Sequence, residues 1–213
     1  DSMAVYRSMD VGTATPSITD RTEVPYHLLD LVEPTEEFTV SMFQAAAFGV
    51  LDDLDRRRCR SILVGGTGLH VRAVVDELVI PPRFPDVRAD LEVEPDTRAL
   101  HRRLAEVDVE AAARMEPTNR RRILRALEVT VGAGRPFSSF GPGLSLYPPT
   151  PFTQIGIRIP RDVLDRRIFE RYRHQMKSGF LEEVIALKQR LEPLSTTASQ
   201  ALGYREIMSH LDG

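Results

Sequence analysis

Apolar positions recur every three or four residues through "TVSMFQAAAFGVLDDLDRRR". Val40, Phe43, Ala47, Val50 and Leu54 fall on one face at that spacing, which predicts an amphipathic helix with Thr39 as its N-cap. The pattern then changes to a short unbroken apolar run, "SILVGG", as expected for a strand buried in a parallel sheet. It leads through "GGTG" into a second helical stretch, "LHVRAVVDEL". Strand, glycine-rich turn, helix is the α/β unit that sets backbone N–H groups and a helix N-terminus at the carboxyl edge of a sheet. After "VIPPRFPDV" the texture alters. From about residue 84 to 133 short charged helices are predicted: "TRALHRRLAEV", "DVEAAARM" and "NRRRILRALEVTV", the last ended by Gly132 and Gly134. "GRPFSSFGPGLSLYPPTP" reads as a turn-rich linker. "FTQIGIRI" alternates like a strand, and helices follow over 161–177 and about 180–191, broken at "SGF", with a further helix in "TASQALGYREIMSHLDG". Residues 1–17 read as a strand end and a loop. The expected fold is α/β, a parallel sheet core flanked by helices with an all-helical insertion. Residues 1–83 and 151–213 form the core, and 84–150 the insertion and linker.

Composition narrows the class. The 213 residues are 42% hydrophobic and 28% charged, a balance that suits a globular domain. No apolar run approaches the roughly 20 residues of a membrane span. The single cysteine, Cys59, excludes an intrachain disulfide and suits a reducing cytoplasm. One cysteine and five scattered histidines offer no transition-metal spacing. Net charge is −3, which argues against indiscriminate binding to nucleic acid. The basic residues are nevertheless clustered, and all but Lys177 and Lys188 are arginine. Arg120, Arg121, Arg122 and Arg125 stand together, and "RDVLDRRIFERYRHQMK" holds a second group. Arginine forks match phosphate geometry, so the two clusters point to a polyanion docked at defined places.

The segments "DSMAVYRSMDVGTATPS", "HLLD", "LVGGTGLHVRA", "LAEVDVEAAARMEPTNRRRILRALEV", "GRPFS" and "ALGYRE" follow in one order along nearly the whole chain. In that order and spacing the chain resembles the bacterial tRNA dimethylallyltransferases, also called tRNA isopentenyltransferases, of the IPP transferase family. The resemblance implies a P-loop NTPase-like core. It also implies roughly 35 residues ahead of Asp1, carrying a strand, a nucleotide-binding Gly-Lys-Ser/Thr loop and a helix; this sequence has no such motif. The implied reaction moves a dimethylallyl group from dimethylallyl diphosphate to the exocyclic amine of adenosine 37, just 3′ of the anticodon. The implied partners are the tRNA anticodon stem-loop and dimethylallyl diphosphate, with Mg2+ as cofactor. A cytoplasmic monomer is expected.

Such chemistry needs a base for the amine proton, cations and oriented donors for the leaving diphosphate, and a pocket for an adenine taken out of its stack. By resemblance Asp1 is the base, and Thr67 lies between diphosphate and adenosine. Read without the resemblance, Asp1 caps its own loop and Thr67 is a helix N-cap. Arg171 matches the arginine that holds the diphosphate; Met176 stands five residues after it where relatives place methionine four after, so Arg173 is the second choice. Ser2, Met3 and Ala4 match tRNA-contacting positions, the last commonly glutamine. Asn119, Arg120, Arg121 and Arg122, together with Arg88, match contacts of the helical insertion. Asp10, Gly12, Thr13 and Pro16 match a loop near the tRNA path, with Thr15 where lysine is usual. His70 stands where tyrosine is common and reads as a packing residue. No protein-built metal site is expected.

Two other classes fit parts of the pattern. A small-molecule kinase would use the insertion as a lid over its phosphates, and a non-catalytic tRNA-binding fragment would keep the arginines without the chemistry. The arginine cluster opening one insertion helix and the D-S-x-x-x-Y loop speak against the kinase.

Overall fold

The computed structural model describes residues 1–141 and 143–213, and of Ser145 only the backbone. Pro142, within the expected linker, lies outside the described residues. Ten α-helices occur among the described residues: α1 (Ile18–Glu23), α2 (Val40–Arg56), α3 (Gly68–Val75), α4 (Pro85–Glu92), α5 (Thr97–Val107), α6 (Val109–Ala113), α7 (Arg120–Ala133), α8 (Arg161–Lys177), α9 (Phe180–Lys188) and α10 (Tyr204–Asp212). No helix among the described residues is long and apolar enough to cross a membrane. The chain divides into two compact units, Asp1–Val75 with Pro151–Gly213, and Asp76–Thr150.

In the first unit the helix over 40–56 forms as its periodicity predicts. The Thr39 hydroxyl accepts from the Met42 N–H at 3.2 Å, and Phe43, Ala47 and Leu54 are buried. Phe43 and Ala47 pack with Val5, Tyr6, Met9, Val74, Phe180, Val184 and Tyr204 into one apolar core. Gly179 (φ 96°) takes up the left-handed turn that separates α8 from α9. The last helix starts at Tyr204, later than expected, after a short 3₁₀ turn over Ala198–Gln200 and Gly203 (φ 88°). Two short helices, α1 and α4, were not expected. Ser17 and Asp20 close a reciprocal capping box around the first of them.

The expected strands are the main departure. Among the described residues the only β-pairing is a single parallel bridge, Tyr6 to Val32. The "SILVGG" and "FTQIGIRI" segments are not assigned to strands. Ile62 and Val64 are 88% and 83% exposed, and Ile155 and Ile157 are 87% and 86% exposed. A strand is stable only when its N–H and C=O rows meet a neighbour, and among the described residues neither segment forms a ladder with one. The apolar pattern reports a side chain's preference for burial; it does not supply the partner.

The second unit is all helix. Its central element α7 buries Ile123, Leu124, Ala126, Leu127 and Val129, and ends at Gly134 (φ 65°) in the left-handed cap that Gly allows. Leu100 and Leu104, one turn apart on α5, pack against it with Leu91, Ala111 and Ala112. Asp108 is 4% exposed and serves two backbones at once: one oxygen accepts from Ala111 N–H (3.0 Å), the other from Ser138 N–H (2.8 Å). Residues ahead of α4 belong to this unit because α7 holds them. Arg125 donates to the Pro81 and Pro82 carbonyls (2.7 and 3.1 Å), and the buried Glu128 accepts from Phe84 N–H (2.9 Å).

Candidate active site

Asp1, Ser2, Leu63, Val64, Gly65, Gly66, Thr67 and His70 line one small cleft of about 50 Å³ in the first unit. The glycine-rich turn and α3 make one wall. Thr67 stands just before α3, and its carbonyl accepts the first helical N–H groups, from His70 (3.0 Å) and Val71 (3.1 Å). Its hydroxyl, freed of backbone duty, meets Ser2 Oγ at 3.3 Å. The other wall is the turn Asp1–Ala4. Asp1 Oδ1 accepts from the Met3 N–H at 2.9 Å, so the carboxylate does cap its own loop. The same bond orients it, and the side chain remains exposed at the cleft. The cap and the base are therefore compatible roles for one carboxylate.

Ser2 and Met3 are half-buried, whereas Ala4 is 3% exposed and its carbonyl accepts from Asp30 N–H (3.0 Å). Ala4 is thus a core residue at the base of the turn. His70 packs edge-on against Phe43, ring centroids 4.9 Å apart. Its buried Nδ1 has no partner among the described residues, and burial holds its pKa below the ordinary histidine value. Its ring packs beside the cleft.

Arg171 is not among the residues lining the cleft. It lies on α8, exposed, and its guanidinium has no hydrogen-bond or ion-pair partner among the described residues. Arg173 on the same helix lies 5.8 Å from the centre of the Phe169 ring. Of these two arginines, Arg171 is the one left free for an anion.

The insertion cluster divides by function. Asn119 is the N-cap of α7 and accepts from Arg122 N–H (3.3 Å). Arg120 turns back on its own unit and donates to the carbonyls of Glu92, Glu94 and Pro95 at 3.1, 2.6 and 3.3 Å. It closes the carbonyl end of α4, where a cation is favoured. Arg88 is paired with Glu92 at 2.6 Å and lies 3.9 Å from Glu128. Arg121 and Arg122 are exposed, with no side-chain partner among the described residues. Two of the matched residues are thus free for a phosphate backbone, and three are engaged within the unit.

The pattern along the chain did not single out the residues that hold the "DVGT" loop. Glu183 on α9 accepts from the backbone N–H groups of Asp10 (2.9 Å), Val11 (2.8 Å) and Gly12 (3.2 Å), and from the Tyr204 hydroxyl (2.6 Å). Gln175, 4% exposed on α8, donates to the Val11 and Gly12 carbonyls at 2.8 and 2.9 Å. Burial, with Asp30 and Glu183 nearby, raises the pKa of Asp10. Burial and Glu183 also push the Tyr204 phenol above its usual value. A lone Glu in "FLEEV" carries no sequence mark of such a role; only "ALGYRE" pointed near it.

Among the described residues no group of three or more His, Cys, Asp or Glu side chains is placed to hold a metal ion. Among the described residues these side chains do not by themselves fit Mg2+.

Comparison with known proteins shows what the chain as a whole is similar to. A family model described as IPP transferase matches residues 4–213. The tRNA dimethylallyltransferase of Bifidobacterium adolescentis is 42% identical over the whole chain, which spans 63% of that protein's length. Among solved structures, the tRNA isopentenylpyrophosphate transferase of Bacillus halodurans is 35% identical with a TM-score of 0.64, covering all of this chain and 67% of that one. A eukaryotic dimethylallyltransferase acting on tRNA reaches a TM-score of 0.79 at 21% identity over 99% of this chain and 55% of its own, a likeness of fold alone. The family match runs through the "DVGT" loop, the "GGTG" corner and the insertion helices alike, and the chain belongs to the IPP transferase family.

Proposed function

We propose that the protein carrying this chain transfers a dimethylallyl group from dimethylallyl diphosphate to the exocyclic amine of adenosine 37 in tRNA. The observation that carries this reading is the meeting of Asp1, Ser2 and Thr67 at one cleft in a chain of this family. In the reaction the amine nitrogen attacks the first carbon of the allyl group. The carbon–oxygen bond to diphosphate breaks, and its electron pair leaves with the diphosphate. The amine proton passes to the Asp1 carboxylate, which the Met3 N–H has already oriented. The Thr67 hydroxyl and the start of α3 offer donors to the leaving group, and Arg171 offers a cation. Arg121 and Arg122 hold tRNA phosphates. Ser2, Met3, the backbone at Ala4, Asn119, Arg120 and Arg88 shape the surfaces on which the tRNA lies. In the same reading, residues 61–66 and 152–159 are strands of a P-loop-type parallel sheet, completed by chain beyond these 213 residues. Mg2+ accompanies the diphosphate, and the enzyme works as a cytoplasmic monomer.

The test is direct. The full-length protein is incubated with radiolabelled dimethylallyl diphosphate and tRNA, and in parallel with ATP plus shikimate or a nucleoside monophosphate. Label in tRNA, on the adenosine 3′ of the anticodon, is expected. Phosphate transfer without prenyl transfer would make it a kinase; tRNA binding with neither would make it a binding protein.

A further inference from the structure

The second arginine cluster of the sequence is only partly used by the reaction proposed above, which takes Arg171 alone. That cluster forms α8, which carries six cationic and three acidic side chains, a net charge of +3 in a chain of net charge −3. Gln175 fixes the inward side of the helix: it is the one buried residue, and its amide donates to the Val11 and Gly12 carbonyls. At 3.6 residues per turn, the side opposite Gln175 presents Arg166, Arg173 and Lys177 in a strip about 40° wide and roughly 16 Å long. Arg171 falls on the Gln175 side, so the strip is separate from the cation assigned to the diphosphate. All three strip residues are exposed. The acids of the helix do little to balance them. Asp165 pairs with Arg161 at 3.4 Å, Asp162 reaches Arg166 only at 4.0 Å, and Glu170 has no ion-pair partner among the described residues. Lys177 has none either. Arg173 lies 5.8 Å from the centre of the Phe169 ring, which leaves the N–H edge of its guanidinium open to an anion.

Arg173 and Lys177 stand four residues apart, a spacing at which like charges destabilise a helix. An anion lying along the strip removes that cost. Arginine forks match phosphate oxygens, and such oxygens belong either to a polynucleotide or to a lipid surface. A helix that lies in a membrane interface needs a broad apolar face beside its cations. Here Leu164 and Ile168 fall on the Gln175 side, and only Phe169 and Met176 flank the strip. A narrow line of cations with one aromatic ring beside it, Phe169 at 63% exposure, fits a polynucleotide backbone better. We propose that Arg166, Arg173 and Lys177 hold phosphates of the bound tRNA, a docking surface of the first unit additional to Arg121 and Arg122 of the second. The inference rests on the reading of tRNA as the substrate.

The experiment uses the full-length protein with Arg166→Gln, Arg173→Gln and Lys177→Gln combined, and measures tRNA affinity against salt concentration. The log–log slope is expected to flatten by roughly 2–3, close to one for each lost phosphate contact. KM for tRNA at low salt is expected to rise roughly tenfold or more, while kcat at saturating tRNA stays within about twofold, because the strip is remote from the reacting atoms. A second variant, Arg166→Lys with Arg173→Lys, keeps the charges and is expected to keep the slope. A control, Arg56→Gln with Arg58→Gln and Arg60→Gln, removes the same charge from exposed positions at and beyond the end of α2 and is expected to change the slope by less than about 1. An unchanged slope in the α8 variant overturns the proposal. An equal change in the control also overturns it, since the effect would then be one of net charge. Vesicles of phosphatidylcholine and phosphatidylserine in equal parts form the last arm: binding to them that the α8 variant loses, with its tRNA slope unchanged, would assign the strip to a lipid surface. If the unaltered protein binds tRNA but forms no prenylated product, the proposed function fails, and the slope still decides for or against the strip.

Discussion

Asp1 and the three arginines at the start of α7 show how much a single side chain's partners decide. The Asp1 carboxylate accepts one bond within its own turn, through Oδ1, and lines the cleft. Asp1→Asn keeps the shape and removes the base, so single-turnover prenyl transfer is expected to fall by roughly 10²–10⁴-fold with tRNA affinity little changed. A rate within about threefold of the parent would deny Asp1 the role. The arginines are neighbours in sequence but not equivalent. Arg121 and Arg122 are free, so changing both to Ala is expected to flatten the salt dependence of tRNA binding by roughly 2 in log–log slope. Arg120 is spent on three carbonyls at the end of α4. Arg120→Ala is expected to leave the salt slope alone and to lower stability by roughly 1–2 kcal/mol, measured by urea denaturation. The reverse pattern would exchange the two assignments.

At the scale of elements, glycines separate packing from propensity. A Cβ on Gly12 would lie 2.3 Å from Phe180 Cε2 and 2.4 Å from Tyr204 Cε2. Both rings are buried and packed edge to face, with centroids 4.9 Å apart, so neither can yield. Gly12→Ala is expected to destabilise by roughly 1–3 kcal/mol and to push the loop off the Phe180–Tyr204 pair. A methyl group on Gly49, inside α2, would meet nothing within 4 Å. Gly49→Ala is therefore expected to stabilise by roughly 0.5–1 kcal/mol, the usual difference in a helix interior. Thermal melts of the two variants should move in opposite directions. Helix identity was largely legible in sequence for the same reason that these glycines are readable. Propensity and 3.6-residue periodicity act locally, so α2, α5, α7 and α8 stand where the apolar and charged positions put them. Strands were not legible to the same degree, because the apolar pattern of "SILVGG" and "FTQIGIRI" is local whereas strand pairing is not.

Over the whole molecule, the balance of charge and burial gives a pH dependence with a definite sign. Burial lowers the His70 pKa from its ordinary 6.5, so the unfolded chain binds that proton more readily than the folded one. His70 thus contributes stability above about pH 6.5, and this is lost progressively as the pH falls below that value. Melting temperatures are expected to drop between about pH 7 and pH 5, and His70→Phe, which keeps the ring contact with Phe43, should flatten part of that slope. An unchanged slope would place the acid sensitivity elsewhere. The acidic side of the profile has other contributors. The Arg190 and Arg7 guanidiniums hold the Glu33 pKa below the carboxylate norm, and that contribution is lost only at lower pH.

By itself the sequence determined most of the helices and the family, since these follow from local periodicity and from motifs kept in order. It also pointed to Asp1 and Thr67, whose neighbourhood is written in contiguous stretches. Tertiary structure alone decided which charged groups are free. Arg120 and Arg121 are adjacent in sequence, yet the first closes the end of α4 and the second is exposed. It alone decided that Glu183, 173 residues along the chain from Asp10, holds the loop. The physical reason is the same in both cases. A charged side chain is defined by what it pairs with, and pairing between distant segments is a property of the packed chain.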